Sequence, residues 1–162
     1  MMKLVATFFG VGYLRPAPGT WGSLAALPVA YAILSFGGFW LLLNLTFFVF
    51  VSGWIATREV TRGQVDHDPD YIVIDEVAGQ WVALFPVGYG AMMMSVELWQ
   101  LYPGWIAAFL LFRLFDIWKP WLVGKADARN DPLGVMVDDV IAGVFAAIGV
   151  IALAALFHMV LM

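Results

Sequence analysis

Forty-two consecutive residues, 16 to 57, contain no Asp, Glu, Lys, Arg or His. About 20 apolar helical residues cross a bilayer core, so this run is too long for one crossing and long enough for two. Gly37-Gly38, near its middle, is the natural place for a break. Three further runs without acids or strong bases follow: residues 77–96, 98–112 and 140–161, the last with His158 near its end. A closed transmembrane barrel would need short alternating strands, whereas long apolar runs satisfy their backbone groups as helices. The expectation is an all-α, polytopic membrane helical bundle of about five transmembrane helices.

The charges sort in agreement with that count. Lys3 and Arg15 precede the first span, Arg58 and Arg62 follow the second, and Arg113, Lys119, Lys125 and Arg129 lie between the fourth and fifth. Five crossings therefore put all eight on one face. The opposite loops, around Gly37-Gly38 and over residues 97–104, carry no positive charge. Under the positive-inside rule the charged face is cytoplasmic. Composition agrees: 12% of residues are charged and 63% hydrophobic, against about 25% charged in soluble domains. The net charge of -4 says little, because the charge is segregated.

At 162 residues the chain is expected to form one integral membrane domain, 1–162, with no room for a soluble module. The lack of Cys excludes thiolate catalysis, disulfides and Cys-ligated metals. Lys3 precedes an apolar stretch, residues 4–14, that resembles a signal peptide. Arg15, two nearby prolines and the lack of a small-x-small cleavage site argue against one. Too short to span, the stretch is expected to be an interfacial or re-entrant segment on the cytoplasmic side.

Helix 1 is predicted to start near Thr20-Trp21, after the Pro16-Ala-Pro-Gly19 breaker, with Thr20 or Ser23 as cap. Helix 2 runs from about Phe39 into residues 57–63. Helices 3, 4 and 5 start near Asp75, Pro103 and Gly134. Residues 121–131, bracketed by Pro120 and Pro132, have no periodic pattern and are predicted as loop. Trp21, Trp40, Trp54, Trp99, Trp105, Trp118 and Trp121 fall near span ends, as interfacial anchors do.

Three stretches put ionisable groups at the cytoplasmic span ends. Asp75-Glu76 opens helix 3, and positions 76, 79, 80 and 83 share one helical face, lining up Glu76, Gly79 and Gln80. Arg113, Asp116 and Lys119 close helix 4, with Arg113 and Asp116 one turn apart. Asp138-Asp139 opens helix 5. A carboxylate inside a span costs about 2.5–3.5 kcal/mol on insertion scales and usually marks function. The five carboxylates Asp75, Glu76, Asp116, Asp138 and Asp139 would repel one another without a cation among them. Hard oxygen ligands without His or Cys suit Mg²⁺, while Arg113 and Lys119 offer a fork and a point charge for a phosphate. Helices 1, 3 and 5 all start on this face, and their dipoles favour an anion there. Together these features describe phosphoryl transfer at a membrane surface.

Plainer readings compete residue by residue. Asp75 and Asp138 can be helix N-caps, and Arg113–Asp116 a structural ion pair. Asp66, Asp68 and Asp70 look like a solvated cluster, His67 and His158 like surface and interfacial residues, and Met92-Met93-Met94 like packing filler. These readings do not account for three unrelated segments converging on one layer.

Four strings covering nearly the whole chain carry a family resemblance. They are Pro18-Gly-Thr-Trp-Gly-Ser23, Ile72-Val-Ile-Asp-Glu-Val-Ala-Gly79, Phe112-Arg-Leu-Phe-Asp-Ile-Trp-Lys-Pro120 and Gly134-Val-Met-Val-Asp-Asp-Val-Ile-Ala-Gly143. In order and spacing they resemble the phosphatidylglycerophosphatase A family. The resemblance implies a Mg²⁺-dependent enzyme of the bacterial inner membrane that hydrolyses phosphatidylglycerophosphate to phosphatidylglycerol and phosphate. It implies Asp75, Glu76, Asp116 and Asp139 as catalytic residues, Asp75, Glu76, Asp138 and Asp139 as metal ligands, and Thr20, Arg113 and Lys119 on the substrate phosphate. Asp68 resembles a further family aspartate. Where the family continues Trp-Pro after Lys-Pro and enters helix 5 through Gly-Gly, this chain has Trp121-Leu122 and Asp131-Pro132.

The expected partners are the phospholipid substrate and membrane lipids, with no nucleic acid and no obligate protein partner. Attack by a metal-activated water is favoured because no Ser-His or Cys arrangement exists, and a phosphoaspartate route stays open. A CDP-lipid alcohol phosphotransferase would need a D-G-x-x-A-R … G-x-x-x-D-x-x-x-D pattern that the chain lacks. A divalent-cation transporter would need acids spread through the membrane depth.

Overall fold

The computed structural model describes residues 1–161, and every regular element among them is helical. We label the α-helices α1 (Met2–Ala6), α2 (Pro18–Val60), α3 (Ile74–Ala83), α4 (Phe85–Met94), α5 (Tyr102–Trp118), α6 (Leu122–Asp127) and α7 (Pro132–Leu161). Four stretches are long and apolar enough to cross a membrane: Pro18–Val60, Ile74–Met94, Leu98–Trp118 and Pro132–Met159.

The first of these is a hairpin. A straight 43-residue helix would be about 65 Å long, twice a bilayer core. Gly38 interrupts it at φ 64°, ψ -163°, a conformation essentially reserved for glycine. Gly22 packs against the side chain of Val73, and Gly53 against that of the next residue, Ile74. On a straight helix Gly22 and Gly53 would lie about 46 Å apart, so the chain must fold back between them. Residues 18–37 and 39–60 are the two arms, and the break falls where the Gly37-Gly38 pair predicts it.

Several boundaries differ from the sequence expectation. Residues 77–96 do not form one helix: α3 ends at Ala83, and α4 begins at Phe85 with Pro86 in its first turn. Pro lacks the N–H that would continue the ladder. Helix α2 starts at Pro18, so Thr20 and Ser23 lie inside it and cap nothing; proline is preferred at the first helical position. The Ser23 hydroxyl instead donates back to the Gly19 carbonyl at 2.9 Å. Helix α7 begins at Pro132, two residues early, because Asp131 Oδ1 accepts the Gly134 N–H and caps it. That bond and the Arg129 guanidinium hold the Asp131 carboxyl below the usual carboxylate range, the guanidinium more strongly. Asp138 and Asp139 therefore sit two turns inside the helix, and Asp75 follows Ile74 inside α3. Neither Asp75 nor Asp138 is a cap. The expected loop at 121–131 contains α6, whose Val123 and Ala126 are buried.

Helix α3 is the centre of the bundle, packed by α2, α5 and α7, with every residue except Glu76 buried. Around it the outer helix faces expose large apolar side chains such as Phe47, Phe48, Ile106, Leu110, Ile148 and Ile151. The N-terminal segment before Pro18 holds no helix long enough to cross a bilayer core. Helix α1 and a 3-10 turn at Val11–Tyr13 pack beside the start of α3, where Val73 N–H donates to Ala6 O at 2.9 Å. Arg15 reaches Asp70 at 3.0 Å on the same side.

Candidate active site

Glycines decide where the carboxylates meet. A Cβ at Gly143 would run into the Gly79 carbonyl, and one at Gly79 would strike the Asp139 carbonyl and the Phe112 ring. Helices α3 and α7 can cross this closely only because neither residue has a side chain, the usual device for tight helix contacts in membranes. Both helices leave the same end of the bundle. One turn back from the crossing, α3 carries Asp75-Glu76 and α7 carries Asp139. One oxygen from each of Asp75, Glu76 and Asp139 lies within 4.8 Å of the others. Asp75 and Asp139 are 5% and 3% exposed.

Two oxygens of this trio, Glu76 Oε2 and Asp139 Oδ2, are buried with no hydrogen-bond partner. Buried charges without partners are expensive. Three convergent carboxylates with unpartnered oxygens, without His or Cys, fit a hard divalent cation. Asp138 is not part of the trio. Adjacent helical residues point about 100° apart, and Asp138 Oδ2 accepts from Lys119 Nζ at 3.0 Å.

The basic residues flank the trio on two sides. Arg113, on α5, pairs with Asp116 at 2.6 Å, and the two side chains are only 15% and 13% exposed. Its Nη1 also donates to Ser23 Oγ at 3.3 Å, while its Nε is buried without a partner. Gly19 lets the start of α2 close over this pair, since a Cβ there would meet Glu76 Oε1 and Arg113 Nη1. Thr20, half-buried, follows directly on the same turn. Asp116 also faces Asp139. Lys119 takes the left-handed conformation that ends α5 and holds both Asp127 and Asp138. Burial works against its charge, but the hydrogen bonds that Lys119 donates to those two carboxylates, with their negative charge, outweigh it and raise its pKa. Asp68 lies over the same group. Desolvation raises its pKa most, Asp127, Asp66 and Asp116 add to the rise, and Lys119 opposes it.

The structure thus brings Asp75, Glu76, Asp139, Asp116 and Arg113 together, with Gly19 against Glu76 and Arg113 and Thr20 next to Gly19 in sequence. It places Asp138 and Lys119 in a neighbouring ion-pair group. Two members were not anticipated. Asp127 sits in a stretch without period, and its link to Lys119 is made only by folding. Ser23, read as a cap, turns out to contact Arg113. His67 is half-buried, its Nδ1 3.2 Å from Thr61 Oγ1. A cavity of about 350 Å³ is lined by Arg58, Glu59, Thr61, Arg62, His67 and Pro132, and another of similar size includes Gly38 and Glu97 in its lining. Neither is lined by the trio.

Residues 4–154 match the family model described as Phosphatidylglycerophosphatase A. A Haemophilus influenzae protein of that name is 39% identical over 94% of this chain and 88% of its own length. An Escherichia coli protein of that name is 35% identical over 89% of this chain and 78% of its own. A Bacteroides thetaiotaomicron protein, provisionally named a phosphatidylinositol-3-phosphatase, is 39% identical over 90% and 88%. No solved structure matches the chain.

Proposed function

The chain belongs to the phosphatidylglycerophosphatase A family of phosphatases, and from that membership we propose that it removes the terminal phosphate of phosphatidylglycerophosphate, yielding phosphatidylglycerol and phosphate. The reaction is Mg²⁺-dependent and takes place at the cytoplasmic face of the bacterial inner membrane. The observation that carries this reading is the trio Asp75, Glu76 and Asp139, its two aspartates buried and Glu76 half-buried, beside Arg113, all at the charge-bearing end of an otherwise apolar bundle.

Asp75, Glu76 and Asp139 would hold Mg²⁺, which when bound supplies charge neutralisation and Lewis-acid polarisation of a phosphoryl oxygen. Arg113 binds the terminal phosphate through its fork, a geometry that only a guanidinium offers. Ser23 and Asp116 fix that fork before substrate arrives, so less ordering is needed at binding. Lys119 adds a point charge once the phosphate competes with Asp127 and Asp138. Thr20 offers a hydroxyl donor at the first turn of α2, whose N-terminal dipole favours an anion. The diacyl tails stay in the bilayer, and phosphate leaves to water at the charged end.

The Bacteroides relative's provisional name points to a different headgroup with one shared feature. In both lipids the phosphate ester stands on a carbon next to a hydroxyl-bearing carbon. Phosphate release by purified protein in detergent, on both lipids and with or without Mg²⁺, tests the reading. We expect release from phosphatidylglycerophosphate to stop with chelator and return with Mg²⁺. Release that is indifferent to chelator, or confined to the inositol lipid, would sink it.

A further inference from the structure

Among the described residues two buried, unpartnered polar side chains are left over by the mechanism above, Thr57 with its one hydroxyl and Gln80 with a whole amide. Gln80 on α3 is 0% exposed, and both its Oε1 and its Nε2 lack a hydrogen-bond partner. No water reaches a bilayer core to satisfy such groups, and each unmade bond there costs several kcal/mol. A glutamine at this position therefore works against folding unless something else uses it.

Its place in the helix indicates what. Gln80 is four residues after Glu76, on the same face and about 6 Å further into the bilayer. Long helical side chains lean back toward the N-terminus of their helix, which brings the amide over the layer of Glu76. The ring of unpartnered atoms there comprises Glu76 Oε2, Asp139 Oδ2 and Arg113 Nε. A free amide offers one acceptor and two donors, which complements a hydroxyl, with its one donor and two acceptors.

We propose that Gln80 is a specificity-determining residue that hydrogen-bonds the substrate hydroxyl on the carbon next to the phosphate ester. The inference rests on the proposed function. With the terminal phosphate held at the carboxylate layer, the headgroup glycerol runs back toward its acyl chains, and thus toward the bilayer. The first group it presents on that side is the hydroxyl, on the side where Gln80 waits. In the free enzyme the amide is unpaired, and substrate satisfies it.

The test uses two lipids, phosphatidylglycerophosphate and an analogue with propanediol in place of the headgroup glycerol, which keeps the terminal phosphate and lacks the hydroxyl. Wild-type enzyme should favour the glycerol lipid by on the order of 10- to 100-fold in kcat/KM, because the analogue leaves a buried hydrogen-bonding group unsatisfied. Gln80→Met should lose that preference, remain within about threefold of wild type on the analogue, and unfold at the same temperature or higher, since removing an unsatisfied polar group is neutral or stabilising. An equal fall on both lipids would make Gln80 a support for the carboxylate layer and overturn the proposal, as would an undiminished preference in the variant. If Gln80→Met does not fold, the wild-type ratio still decides, because equal turnover of the two lipids overturns it without any variant. A wild type inert toward the glycerol lipid defeats the proposed function and this inference together, whereas activity without preference defeats the inference alone.

Discussion

Asp138 and Asp139 are neighbours in sequence with different surroundings, and the contrast makes the metal assignment testable. Asp139 has an unpartnered buried oxygen among three carboxylates, while Asp138 is bound to a lysine. Asp139→Asn should reduce turnover by about two orders of magnitude or more, the scale seen when a transition-state electrostatic group is removed. Asp138→Asn should cost only about tenfold, because Lys119 keeps Asp127 as a partner. Turnover at saturating Mg²⁺ measures both, and equal losses would dissolve the distinction. The Arg113–Asp116 pair invites a second comparison. As a purely structural pair it could be replaced by Arg113→Met with Asp116→Leu at little or no loss, since buried ion pairs often exchange neutrally for apolar residues. As a phosphate clamp the double variant is folded and inactive, and Arg113→Lys, which keeps charge but loses the fork, also falls by about 100-fold. We expect both. Phosphate release above a few per cent of wild type from a folded double variant would remove Arg113 from the site.

Helix α3 and its crossing with α7 bring these residues together, and here sequence and structure part in an instructive way. The face shared by Glu76, Gly79 and Gln80 is legible from spacing alone, because helical periodicity fixes it. That Gly79 opposes Gly143 is not legible, since nothing local to either string states which helices touch. The same holds for Lys119 and Asp127, joined across a turn that depends on a left-handed residue at 119. Six-residue α6 is too short to display a period, and the break at Leu84 hides inside an apolar run whose only signal is Pro86. Charge segregation and the carboxylate pairs, by contrast, are written residue by residue, so the layer could be seen before its geometry. The crossing carries its own prediction. Gly143→Ala places a methyl against the rigid Gly79 carbonyl, and overpacking of this kind costs about 1–3 kcal/mol. Its thermal midpoint in detergent should fall and its turnover fall with it, whereas Gly90→Ala, whose Cβ meets only the end of Met94, should leave both near wild type. A Gly143→Ala enzyme of unchanged activity would mean that the crossing does not set the carboxylate geometry.

At the scale of the whole molecule, the break at Gly38 folds the first of four long apolar stretches into a hairpin. Both ends of α2, the starts of α3 and α7 and the end of α5 then gather at one end. That end carries all eight lysines and arginines and eleven of the twelve acids, leaving Glu97 alone among the described residues at the other. Under the positive-inside rule a bundle so polarised is expected to keep this end in the cytoplasm, and the reaction we propose would then release phosphate there. Single cysteines are practical reporters because the chain has none of its own. Gly38 itself is a poor site for one, since its backbone tolerates only glycine, but Phe36, 91% exposed beside the hairpin tip, and exposed Gln100 both suit. In intact cells whose outer membrane has been opened, an impermeant thiol reagent should label cysteines at 36 and 100. Cysteines at Gln64 and Ala128, exposed at the charged end, should label only after the inner membrane is permeabilised. A hairpin arm that failed to cross would put position 36 with positions 64 and 128. Labelling of 128 from outside would invert the bundle and put the carboxylates on the face opposite to the one we propose.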